Sequence, residues 1–183
     1  MQPVKTAGLA GSVHKTFLKF GALCLGLSLG FLFSGLAVAQ TFTEFEAPGA
    51  GAAAFQGAIS INTLGVIAGE YYDSTGVSHG FVRTAAGDIT SFEASGAGTA
   101  SGQGTFSGAI NTAGTIAGNY SDSKSAHHGF VRTAAGAITT FDAPGSGTTK
   151  GTGTFVYGIN SAETIVGLYF ESGGPFHAFL RTE

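Results

Sequence analysis

HGFVRTAAGDITSFEASGAGT, residues 79–99, returns as HGFVRTAAGAITTFDAPGSGT at residues 128–148 and, cut short, as HAFLRTE at residues 177–183. The offset is 49 residues each time, and it holds in separate registers: His79, His128 and His177; Arg83, Arg132 and Arg181; Gly69, Gly118 and Gly167; Asn62, Asn111 and Asn160. A fixed period of this length marks a chain made of copies of one supersecondary unit that stack to bury a shared core.

Each unit reads as four short strands. In the middle copy these are 105–111 (TFSGAIN), 115–120 (TIAGNY), 128–133 (HGFVRT) and 137–142 (AITTFD). Asn111-Thr-Ala-Gly114 between the first two has the residues of a type I turn, with the asparagine side chain on the backbone and glycine at the exit. Ala134-Ala135-Gly136 closes a hairpin between the last two. A four-residue loop there would set Phe130 opposite Phe141, and Phe81 opposite Phe92 in the first copy. No window after residue 40 keeps apolar residues at helical spacing without a glycine in the way, and glycine supplies 31 of the 183 residues. The fold class is all-β.

The third copy ends after its third strand, whereas TFTEFEAPG at 41–49 matches the fourth strand of the others, with Phe45 equivalent to Phe92 and Phe141. An N-terminal strand at 42–46 beside 177–182 would therefore complete the last unit and close the array, removing exposed strand edges. Four strands in 49 residues suits a propeller blade, although closed propellers carry about four to eight blades. A β-trefoil, a β-prism, or two chains pairing into a six-bladed ring are the alternatives.

The first 39 residues read as a signal peptide. Lys5, His14, Lys15 and Lys19 precede an apolar run from Phe20 to Ala39 that ends in Ala37-Val38-Ala39, a small-x-small cleavage pattern. The lone cysteine, Cys24, lies inside that run. Residues 40–183 form the three-repeat β domain, with five basic residues (Arg83, Lys124, Arg132, Lys150, Arg181) against all eleven acids, a formal charge of −6. No basic face for a nucleic acid can be built from them. The expected location is secreted, extracellular or periplasmic, with membrane contact only through the signal segment before cleavage.

The pattern G-x-I-N-x-x-G-x-I-x-G-x-Y, then H-[GA]-F-[VL], then I-T-x-F-[DE]-x-P-G resembles the extracellular repeats called the HAF family, and His177-Ala178-Phe179 spells that signature. The resemblance covers nearly all of 40–183. It implies an exported bacterial protein with propeller-like sheets and says little about activity. Glu163 in place of a turn glycine, Ser95 in place of a loop proline, and the low repeat number depart from the pattern.

Residues that recur once per copy are expected to serve the fold. His79, His128 and His177 would make a three-nitrogen zinc site only by converging on an axis; the alternative is a local bond at each strand start. Asp73, Asp122 and Glu171 supply one carboxylate per loop, too few oxygens for calcium, and fit Asx-type turns. Arg83, Arg132 and Arg181 are expected to pair with acids on neighbouring strands. Tyr71-Tyr72, Lys124, His127 and Gly173-Gly174-Pro175 break the repeat within one family of loops, where a binding surface would form. No catalytic set, metal site or cofactor is assigned. The reading is a non-enzymatic interaction or structural module, with a surface or glycan ligand. The competing reading is a hydrolase of an extracellular polymer, with Glu70, Asp73 and Asp88 as its only acids.

Overall fold

The computed structural model describes residues 40–52 and 54–182. Residues 1–39, expected to be a signal peptide, lie outside the described residues. Contacts divide the chain into a first unit ending at Phe45 and a second from Glu46 onward. Within the first unit, residues 40–45 form neither helix nor strand.

The second unit is all-β. Its strands are β1 (Gln56–Ile61), β2 (Ile67–Tyr72), β3 (Ser78–Arg83), β4 (Ile89–Phe92), β5 (Gly104–Ile110), β6 (Ile116–Ser121), β7 (His127–Arg132), β8 (Ile138–Phe141), β9 (Gly153–Ile159), β10 (Ile165–Phe170) and β11 (Phe176–Arg181). They fall into the three expected copies, and the middle-copy boundaries lie within about one residue of those read from the sequence pattern. Inside a copy every pairing is antiparallel. Copies are joined by one parallel bridge each, Ser78 to Gly104 and His127 to Gly153. Glycine is required at both joints, since a Cβ on either would collide with the backbone of Ser78 or His127.

The sheet is open. It runs from β1 to β11 with β4 and β8 as side branches. The expected pairing of 42–46 with 177–182 is not formed: residues 42–46 carry no strand, and β11 pairs with β10 alone.

The β7–β8 register also differs from expectation. The turn from Thr133 to Gly136 is closed by the Gly136 N–H on the Thr133 carbonyl (2.9 Å), and the Thr133 N–H then bonds the Ala137 carbonyl (2.8 Å). Gly136, at φ +96°, takes the left-handed bulge position, which leaves three loop residues rather than four. One residue fewer reverses the partner parity. Phe141 therefore faces Gly129 and Phe92 faces Gly80, while Phe130 and Phe81 face Thr140 and Ser91. On their other edge Phe81, Phe130 and Phe179 face Gly69, Gly118 and Gly167. Each ring packs over a cross-strand glycine instead of against another ring in its own hairpin.

Ring-to-ring contact occurs between copies. Phe92 meets Phe130 edge-on at 5.9 Å and Phe141 meets Phe179 at 6.2 Å. Around the first contact Ala68, Ile110, Ile116 and Phe130 form one buried cluster with Val82 and Phe92. Ala117, Val131, Val156 and Ile165 form the second with Phe141 and Phe179. The core is thus two copies of one junction. An asparagine ladder follows the same path: Asn62 Nδ2 donates to the Asn111 carbonyl (3.1 Å), and Asn111 Nδ2 to the Asn160 carbonyl (3.2 Å).

Candidate functional site

The three repeated histidines stay in their own copies, and no group of three or more His, Cys, Asp or Glu side chains among the described residues is arranged to hold a metal ion. Each stacks on the tyrosine opposite it in the ladder: His79 on Tyr71 (5.0 Å), His128 on Tyr120 (4.9 Å) and His177 on Tyr169 (4.9 Å). Carboxylates then grip the ring edges. His79 has Glu93 at Nδ1 and Asp73 at Nε2 (3.2 Å). His128 has Asp142 at Nδ1 (2.8 Å) and Asp122 3.5 Å from Nε2. His177, whose copy lacks a fourth strand, lies 3.2 Å from Glu171 without the alignment of a hydrogen bond. Burial alone would lower the His79 pKa, but Glu93 and Asp73 outweigh it and raise the value above that of a free imidazole. A carboxylate at each nitrogen favours the doubly protonated ring, in which both nitrogens donate and neither is a base.

The loop acids are turn builders. Asp73 Oδ1 accepts the N–H groups of Thr75 (2.8 Å) and Val77 (3.0 Å), and Asp122 Oδ1 those of Lys124 (2.8 Å) and Ala126 (2.9 Å). The Thr75 hydroxyl, which also donates to Asp73 Oδ1 (2.7 Å), and after it the Val77 N–H hold the Asp73 carboxyl well below the usual carboxylate range. For Arg132 and Arg181 the expected pairing with acids is replaced, among the described residues, by a different contact. Arg132 lies over the Phe92 ring and Arg181 over Phe141, each at 4.9 Å. The previous copy presents an aromatic face at that point rather than a carboxylate, and a weakly hydrated guanidinium is suited to it, at about 0.5–2 kcal/mol per contact.

Several departures from the repeat meet in the first copy. A cleft of about 810 Å³ is lined by Gly51, Phe55, Glu70, Tyr72, Asp73 and Thr75 among others. Phe55 packs edge-on against Tyr72 at 6.2 Å, and Tyr72 in turn approaches Phe106 of the next copy at 6.5 Å. At 49-residue spacing Phe55 corresponds to Gly104 and Gly153, and Glu70 to Asn119 and Leu168. Burial pushes the Glu70 carboxyl up to about 7, against a weaker opposing effect of its hydrogen bond from the Ser107 N–H. The Tyr72 phenol is raised as well, by burial and then by the Glu70 charge.

Of the residues singled out by sequence, Tyr72, Glu70 and Asp73 meet in this cleft. Asp88 belongs to the β3–β4 turn, where its N–H donates to Thr84 Oγ1 (3.1 Å). Lys124 and Gly173-Gly174-Pro175 occupy the equivalent loops of the other copies. Phe55 went unnoticed, although a phenylalanine standing where the other copies have glycine is itself the signal. No protein-family model, curated protein or solved structure matches this chain.

Proposed function

We propose that the protein works outside the cytoplasm as a non-catalytic binding module: propeller-blade-like units form a rigid frame, and the cleft of the first copy receives a glycan. The observation that carries this reading is the grouping of Phe55, Tyr72 and Glu70 around one open cleft, at positions where the repeat itself does not demand them. Aromatic surface with a few converging polar groups is the usual make-up of a small-ligand site. The apolar face of a sugar ring suits Tyr72 and Phe55, and its hydroxyl groups suit Glu70 and the Asp73–Thr75 loop. The N-terminal apolar run and the HAF-like pattern support export.

A hydrolytic reading is favoured by one fact: two carboxyls lining the same cleft have pKa values driven apart, Glu70 upward and Asp73 downward. Such a separation can divide acid and base roles. Against it, Asp73 spends Oδ1 on the turn and Oδ2 on His79, and is not free to meet a substrate.

Screening the purified protein on a glycan array, followed by titration of the best ligand, tests both readings. Tyr72→Ala is expected to abolish binding while the melting temperature stays within a few degrees. Absence of any glycan signal, or a signal indifferent to Tyr72→Ala, contradicts the binding site. Release of new reducing ends from the bound polymer, lost in Glu70→Gln, would establish the hydrolytic reading instead.

A further inference from the structure

We infer that the two end faces of the sheet recognise a second copy of this chain, seated head to tail through the same junction that already joins the repeats. Each copy has one face that receives the next copy and one that docks on the previous copy. In the middle copy both are covered: Val131 and Ala117 lie under the third copy, and Ile110 lies against the first, with Val131 and Ile110 each only 7% exposed. The equivalent positions at the ends are open. Leu180 and Val166, which stand for Val131 and Ala117, are 66% and 44% exposed, and Ile61, which stands for Ile110, is 64% exposed beside an equally exposed Leu64.

Terminal units of a repeat array are ordinarily polar on their outer side, because nothing follows to cover them. Here the outer positions remain apolar, and leucine and valine at the open end are bulkier than the valine and alanine they match inside the chain. The asparagine ladder stops in the same manner. Asn160 Nδ2 makes no hydrogen bond among the described residues, whereas Asn62 Nδ2 and Asn111 Nδ2 each reach the carbonyl of the next asparagine. A second copy would place its Ile61 against Val166 and Leu180, and its Asn62 carbonyl before Asn160 Nδ2.

Such a contact is heterologous, since the two faces differ, and it either closes or propagates. Three units per chain and about four to eight blades per closed propeller leave two chains as the closing number. The docking itself rests only on the repeat junction; the closing number rests on the blade reading given above.

Sedimentation velocity on protein purified after expression of the full sequence is expected to give a two-chain species. Leu180→Asp and Ile61→Asp should each give folded single chains, with the wild-type strand circular dichroism and a melting temperature that no longer depends on protein concentration, since both side chains are exposed in the single chain. Mixing the two variants should restore a two-chain species, because each still carries one intact face. A wild-type protein that stays monomeric throughout the micromolar range, or variants that remain monomeric when mixed, would overturn the proposal. Longer assemblies that both substitutions abolish would keep the docking and overturn the blade closure, and with it that part of the proposed architecture.

Discussion

His127 stands on β7 where the first copy has Ser78 and the third has Phe176. Its ring lies 4.4 Å from Phe155 of the following copy and 6.1 Å from Phe106 of its own. Burial lowers its pKa below the usual 6.5, and the charge of His128 adds to this, while Asp122 opposes it. A histidine whose proton is less welcome in the folded state leaves stability intact above about 6.5 and erodes it as the pH falls from there towards the lowered value. Glu70, pushed up to about 7, works in the opposite sense over the same range, so the His127 contribution is read as a difference: as the pH is taken from 7 to 5, the melting temperature of His127→Phe is expected to rise relative to that of the wild type. His127→Phe, which extends the aromatic contact, should also have a pH 8 melting temperature equal to the wild type's or higher. His79 works in the opposite sense: its raised pKa makes its contribution fade as the pH rises, so it does not mimic the acid-side loss. A difference between the two proteins that stays constant from pH 7 to 5 would contradict this role for His127.

Among elements, the Phe-over-Gly pairs and the joints between copies carry the packing. Phe141 covers Gly129 within its own hairpin, where a Cβ on that glycine would lie 2.5 Å from the ring. The same ring carries Arg181 and meets Phe179 of the next copy. Phe141→Ala is expected to cost about 2–3 kcal/mol in urea unfolding, below the ~3–5 kcal/mol of a fully enclosed phenylalanine because its ring is only half-buried. A loss under about 1 kcal/mol would mean that the junction does not bear on this ring. Strand positions were legible because the 49-residue period aligns three independent copies of the same pattern. The hairpin register was not, since one loop residue more or fewer reverses which face every side chain takes. Gly136 as the fourth residue of Thr-Ala-Ala-Gly was the available sign of a bulged three-residue loop. The partners of Arg132 and Arg181 were hidden for another reason: each aromatic ring sits about forty residues back, across a junction that pairing rules within one hairpin do not describe. In the cleft, Tyr72 stood out as a break in the repeat and Glu70 and Asp73 as acids of the hydrolytic alternative, whereas Phe55 lies just ahead of β1 in a stretch with no turn pattern to anchor its alignment.

At the scale of the whole β unit, one junction is used twice and then left open at both ends. Stability in such an array is close to a sum of unit and nearest-neighbour contributions, so a copy with two neighbours is held more firmly than a copy with one. Local opening should follow that order, with the interior of the middle copy the last to yield. The most direct test is amide hydrogen exchange, read strand by strand on the Leu180→Asp protein so that self-association does not cover the ends. The expected result is strongest protection in β6 and β7 and fastest exchange along β1 and β11. Protection of β11 equal to that of β6 would contradict the open array and mean that the ends of the sheet are covered within a single chain.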